Sequence, residues 1–337
     1  SKSHIISTQE TDPIKRLSMD DLGFIDKRSR FRDIFCAVTK HHGIELPNYD
    51  SCNNALVSVG LESEHKTYPI KLKRSKNDFI IGLVPGIAWQ CVKNWLEDDQ
   101  TSTEHLLSQG YDVRLFEVDG LSGHDNNAQQ ISDHISGLPK KDQKRPIILI
   151  GYSKGAVDVL QAVTTQEKLK ERVLAVVSVA GAVGGSPLAN SAKQAHLNRL
   201  KYIPMSGCET GDNKAIETLH TETRKTWLED SILPDNLKYY SVISYPDEDK
   251  ISLGLKLTHN KLADIDSRND GQIIFYHQLI PNSSLLAFVN ADHWAMSIPV
   301  ARQSFLNRIS FANKNEYPRE VLLESILRYV EEDLLKH

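Results

Sequence analysis

Short apolar runs recur along this chain, each followed by a stretch in which apolar residues fall three and four positions apart. Residues 79–84, 111–118, 146–150, 173–179, 238–244 and 284–289 form such runs. Runs with so little polar interruption predict strands covered on both faces. The three-and-four spacing predicts helices over residues 26–41 (Ile25, Phe31, Ile34, Phe35 and Val38 share a face), from Pro85-Gly86 to about 109, 128–138 and 156–163. A closing helix is expected over 318–335, with Val321, Leu322, Ile326, Leu327, Val330 and Leu334 on one side. Two further β-like runs, 55–61 and 67–72, precede a charged turn at 73–78. Strands alternating with helices imply crossover connections, hence an α/β fold with a mostly parallel central sheet flanked by helices.

That rhythm breaks after Ala180. Residues 187–236 are polar and helix-prone and contain no convincing strand, which is long for a plain connection. An insertion here between two sheet strands is expected to be a helical lid or cap, the alternative being a helical decoration without gating. Residues 1–50 are read as an N-terminal helical extension packed on a main domain that spans 51–337. No internal repeat or low-complexity stretch interrupts either.

Composition narrows the function classes. With 337 residues, 40% of them hydrophobic and 25% charged, the chain can bury a full sheet beneath two helical layers. A formal net charge of −4 gives no electrostatic basis for nucleic-acid binding. No apolar run is long enough to span a bilayer. The four cysteines, Cys36, Cys52, Cys91 and Cys208, show neither metal-ligand spacing nor a dense disulfide framework, although a Cys36–Cys52 bridge would tie down the N-terminal segment. The first residue is Ser1, which points to a removed leader or a trimmed chain; the compartment and the oligomeric state stay open.

The chemistry centres on Gly151-Tyr152-Ser153-Lys154-Gly155, between the run 146–150 and the helical stretch 156–163. A bare Gly-x-Ser-x-Gly is weak, arising by chance in roughly one of twelve chains of this composition. Strand before and helix after make it specific: this is the arrangement of a nucleophile elbow, with the serine hydroxyl raised at the end of a sheet. The helix N-terminus behind it favours developing negative charge. An idle serine in an ordinary β-turn-α junction is the plain alternative.

A serine hydroxyl needs a base, and the base needs an orienting acid. Among 13 histidines, His293 follows the run 284–289 directly, on the sheet edge where the elbow lies; His259 and His277 follow no clear strand. Asp292 beside it is expected to be a structural hydrogen-bond partner. For the acid, Asp270 in Asn269-Asp270-Gly271 and Asp247 after the strand 238–244 both stand in turn-forming surroundings, and periodicity does not separate them. Oxyanion donors are expected from the amides of Ile87, after Pro85-Gly86, and Lys154. Gly86, Tyr152 and His124 are expected at the substrate, His124 having polar loop filling as an equal alternative. The Lys154 side chain is expected to be a solvated charge, with contact to an anionic head group as the alternative.

Several of these motifs together resemble the bacterial true lipases and related esterases of the α/β-hydrolase superfamily. They are Leu83-Val84-Pro85-Gly86, the elbow, Lys238-Tyr239-Tyr240-Ser241, Asn269-Asp270-Gly271 and Asp292-His293, scattered over about 78–300. The resemblance implies an α/β-hydrolase fold and a Ser153, Asp270, His293 triad, favouring Asp270 over Asp247. Pro85 stands where that family has histidine, and Lys154 where it has histidine or glutamine; both departures bear on lipid preference. The calcium ligands of some of those lipases find no match. The function expected is therefore a cofactor-independent and metal-independent serine hydrolase acting on a small-molecule acyl ester or lipid. A thioesterase or acyltransferase with the same triad is the enzymatic alternative, and a non-catalytic binding protein on this scaffold the different-class one.

Overall fold

The computed structural model of the protein describes residues 23–63, 65–87, 96–98, 100–192, 211–297, 301–303 and 316–336. The apolar runs become strands β3 (Ile80–Val84), β5 (Asp112–Leu115), β6 (Ile147–Tyr152), β7 (Val173–Val179), β8 (Lys238–Ser244) and β9 (Ser284–Val289). These lie in the order β5-β3-β6-β7-β8-β9, every neighbouring pair parallel. At the β9 edge, β1 (Ile25–Asp26) adds in parallel and β2 (Leu56–Val57) pairs antiparallel, completing an eight-stranded sheet.

Every residue of β3 and β6 is buried, because helices cover both faces. Alternate side chains of one strand therefore enter two separate cores. On one face Ile81, Leu83, Ile148, Ile150, Val177 and Leu286 meet helix α1 (Arg28–His41), helix α2 (Gln100–Ser108) and the C-terminal helix α9 (Arg319–Leu334). On the other, Ile80, Ile147, Leu149 and Val176 meet α3 (His124–Ser136) and α4 (Lys154–Thr165). A disulfide joins Cys36, within α1, to Cys52; Cys91 and Cys208 lie outside the described residues.

Three sequence expectations change. Residues 67–72 form no strand: Arg30 stacks over the Tyr68 ring at 3.8 Å and takes the Tyr68 carbonyl at 2.9 Å, so side chains rather than a ladder hold this stretch. Among the described residues, the helix expected from Pro85-Gly86 to about 109 appears as α2. Leu96–Asp98 (β4) instead pairs antiparallel with Ala301–Gln303 (β10), a non-local pairing that no local pattern announces; residues 88–95 lie outside the described residues. The closing helix is covered well beyond one stripe, with Glu320, Glu324, Ser325 and Arg328 buried as well as its apolar positions, because α1 and α2 flank it. Of the expected cap, helices α6 (Pro187–Ser191) and α7 (Thr221–Asp230) are described, and residues 193–210 lie outside.

The chain leaves β3 for β5 on one side and reaches β6 on the other, so the strand order reverses between β3 and β6. Loops from their carboxyl ends diverge there, opening the crevice in which open α/β sheets place their ligands.

Candidate active site

Ser153 follows β6 at that reversal with φ 55° and ψ −124°, a conformation costly for any residue with a Cβ. Its backbone is clamped. The amide donates to Val179 O at 3.1 Å, and the carbonyl accepts from Ala156 N at 3.2 Å and Ala182 N at 3.0 Å. The flanking glycines are there for space. A Cβ at Gly151 would lie 2.5 Å from the Ala156 backbone, and one at Gly155 would lie 2.2 Å from Val84 O.

His293 stands in the loop after β9. Its Nε2 lies 2.9 Å from Ser153 Oγ and its Nδ1 lies 2.6 Å from Asp270 Oδ2. The His293 amide also donates to Asp270 O at 2.9 Å, fixing one loop on the other. Ser153 and His293 are 5% and 6% exposed, and Asp270 is fully buried. The second oxygen of Asp270, Oδ1, accepts from the amides of Gln272 at 3.0 Å and Ile273 at 2.7 Å, so that only Oδ2 faces the imidazole. Asn269 shapes this turn: its Oδ1 accepts from Gly271 N at 2.9 Å, and Gly271 takes φ +95°.

The other candidates are engaged elsewhere. Asp247 is exposed, and its Oδ2 accepts from Asn290 Nδ2 at 2.8 Å. His259 Nδ1 lies 2.8 Å from Asn269 Oδ1, within the turn that carries Asp270. His277 is packed against Gly184, and burial lowers its pKa to about 4. Asp292 accepts from Ser252 N at 2.7 Å and Ala295 N at 2.8 Å; burial nevertheless raises its pKa, the charge of Asp270 adding to that.

Two expectations about side chains need correction. Lys154 is not solvated. It is 1% exposed, and its Nζ lies 2.7 Å from Asp158 Oδ1, whose other oxygen accepts from Asn127 at 2.8 Å. Burial raises Asp158 above the ordinary carboxylate value, against the pull of Lys154 and Asn127. Tyr152 is turned inward instead of toward substrate. Its ring lies 5.1 Å from that of His293, and its hydroxyl donates to the His293 carbonyl. Burial first, then the charges of Asp270 and Asp292, push the Tyr152 hydroxyl well above its usual pKa, which keeps it a donor. This contact joins the end of β6 to a loop distant in sequence, and only the aromatic residue before the serine hinted at it.

His124, at the start of α3, has Nδ1 3.4 Å from the buried Arg224 guanidinium, and its ring lies 6.3 Å from that of Trp227. Burial, together with the Arg224 charge, lowers its pKa to about 4, so it is neutral near pH 7. A Cβ on Gly86 would stand 3.0 Å from Ser153 Cβ, which places the loop after β3 directly against the elbow. Ile87 packs against the apolar cluster of Val157, Ala182, Ala189, Leu219 and Ile273, and the Lys154 amide, in the first turn of α4, has no acceptor within the helix.

Fold and site together define an α/β-hydrolase. Over 97% of both chains, the structure is similar to the metagenomic carboxyl esterase MGS0156, with 33% identity and a TM-score of 0.86. The chain belongs to this family of α/β-hydrolase carboxyl esterases and is by class a carboxylic ester hydrolase. Two solved structures share the fold at lower identity. The mature lipase BlEst2 of Bacillus licheniformis is 19% identical over 68% of this chain and 90% of its own, with a TM-score of 0.51. EstA of Clostridium botulinum is 13% identical over 78% and 92%, with a TM-score of 0.54. No protein-family model and no curated protein matches the chain. Among the described residues, no helix is long and apolar enough to cross a membrane.

Proposed function

We propose that the chain hydrolyses acyl or lipid esters through a covalent acyl-enzyme on Ser153, with His293 as base and Asp270 as its orienting acid. The observation that carries this reading is the hydrogen-bond chain from Ser153 Oγ to His293 Nε2 at 2.9 Å and from His293 Nδ1 to Asp270 Oδ2 at 2.6 Å.

Attack of Ser153 Oγ on the ester carbonyl passes its proton to His293 Nε2, while the Asp270 carboxylate stabilises the imidazolium that forms. The amides of Ile87 and Lys154 receive the oxyanion, each worth about 10²–10³ in turnover. Collapse breaks the carbonyl–alkoxide bond, and His293 returns the proton to the departing alcohol. Water then attacks the acyl-enzyme with His293 again taking a proton, and the carboxylic acid leaves with Ser153 restored.

Ser153→Ala is expected to lower kcat on p-nitrophenyl butyrate by at least about 10⁴-fold. A fluorophosphonate probe is expected to label the native chain at Ser153 alone. Undiminished hydrolysis by the variant would refute the assignment. A marked preference for acyl thioesters over matched oxo-esters would move the substrate class to thioesters with the same triad.

A further inference from the structure

At the opposite edge of the sheet from Ser153, three helices bring two imidazoles onto one carboxylate. His42 caps the C-terminus of α1, His105 lies near the end of α2, and Glu324 faces both from the middle of α9. His42 Nδ1 lies 2.9 Å from Glu324 Oε1 and from Oε2, while His105 Nε2 lies 2.5 Å from Oε1. The ligand atoms of all three lie within 4.8 Å of one another. The site is at the amino ends of the strands: α2 stops at Ser108, shortly before β5, and Arg328 of α9 donates to Lys73 O, shortly before β3.

We propose that His42, His105 and Glu324 form a structural site for a divalent transition metal of the zinc type. Two imidazole nitrogens with one carboxylate oxygen are a donor set that such ions prefer, and hard alkaline-earth ions do not. Glu324 is already oriented, since its Oε2 accepts from Arg328 Nε at 2.8 Å, the kind of outer contact that fixes a metal-bound carboxylate. Glu324 is fully buried, whereas His42 and His105 are only partly so. The imidazoles can therefore draw back from the carboxylate, by about 0.4 Å at His42 and about 0.8 Å at His105, to the roughly 3.3 Å that separates two ligands of a tetrahedral ion at the 2.0–2.1 Å bond lengths typical of zinc.

Both histidines border a cleft of about 390 Å³ that Glu45, Glu104 and Ser108 also line. The cleft gives an entry path, and its carboxylates add negative charge beside the ion. Water or one of these carboxylates supplies the fourth ligand. Lying across the sheet from Ser153, the ion has no part in ester cleavage. Its physical effect is to tie the end of α1, the end of α2 and the middle of α9 together.

The full chain is freed of metal by dialysis against a chelator and titrated calorimetrically with ZnCl₂. One equivalent is expected to bind, and a concentration about 100 times Kd is expected to raise Tm by about 3–6 °C. Co²⁺ in place of Zn²⁺ is expected to give visible d–d absorption. His42→Gln and His105→Gln are each expected to weaken binding at least about tenfold and to remove the Co²⁺ bands, with p-nitrophenyl butyrate hydrolysis unchanged. That hydrolysis also shows that the variants are folded. Zinc binding or a zinc-dependent Tm rise that survives intact in the double variant would overturn the proposal. So would the absence of any binding to the native chain.

Discussion

Ser153 sits at φ 55°, where glycine is at ease and any other residue is strained. Ser153→Gly is therefore expected to raise stability by about 1–3 kcal/mol while abolishing turnover. Ser153→Ala abolishes turnover without that gain, because its Cβ keeps the strain. Denaturant melts of the two variants check this, and equal midpoints would count against strain at the corner. One turn along α4, the buried Lys154–Asp158 pair makes a second prediction, since both side chains are 1% exposed. Asp158→Asn leaves a buried ammonium without its counter-charge and is expected to cost about 3–5 kcal/mol. Removing both charges, as Lys154→Met with Asp158→Leu, is expected to recover most of that loss, read by the same melts. If the single and double changes cost alike, the pair is not coupled.

Among elements, the loop after β3 lies close against the elbow. Gly86→Ala would put a Cβ 3.0 Å from Ser153 Cβ and 3.3 Å from the Tyr152 ring. With Ser153 as the proposed nucleophile, its displacement by a few tenths of an ångström is expected to lower kcat about 10–100-fold with little change in Tm. An unchanged kcat would show that this loop has slack. The sequence was most readable at this scale wherever a pattern is local. The run 146–150, two glycines and the helical spacing after them located β6, the corner and α4, because burial on both faces requires a solid apolar run. His293 could be found from the strand it follows. Asp270 could not be separated from Asp247 by pattern, since both lie in turns, and its selection depends on contacts 23 residues away with His293. The β4–β10 pairing, the Tyr152 hydroxyl on the His293 carbonyl and the burial of Lys154 are tertiary events that leave no periodic trace.

For the molecule as a whole, two largely buried imidazoles tie stability to pH. Burial holds His277 at about 4, and burial with the Arg224 charge holds His124 at about 4, against 6.5 in the unfolded chain. Between those pH values the unfolded chain binds more protons than the native one. The contribution is thus complete above about pH 6.5, shrinks as the pH falls, and is gone near pH 4. Asp158 and Asp292, raised by burial, act in the opposite sense above their ordinary values. Comparison with a variant isolates one group. His277→Phe is expected to lose up to about 3 kcal/mol less stability than the native chain between pH 6.5 and pH 4. Identical pH profiles for the two proteins would show that His277 does not titrate in this way.

The clamp on the Ser153 backbone reaches further than the corner itself. Its amide is held by Val179 at the end of the neighbouring strand, and its carbonyl by the first turn of α4 and by Ala182. The Ser153 oxygen, the nucleophile of the proposed reaction, thus inherits the stiffness of the sheet and serves as a fixed datum. Adjustment to substrates of different shape falls to the surrounding loops, so exchanging those loops can retune selectivity while the reaction centre stays in place.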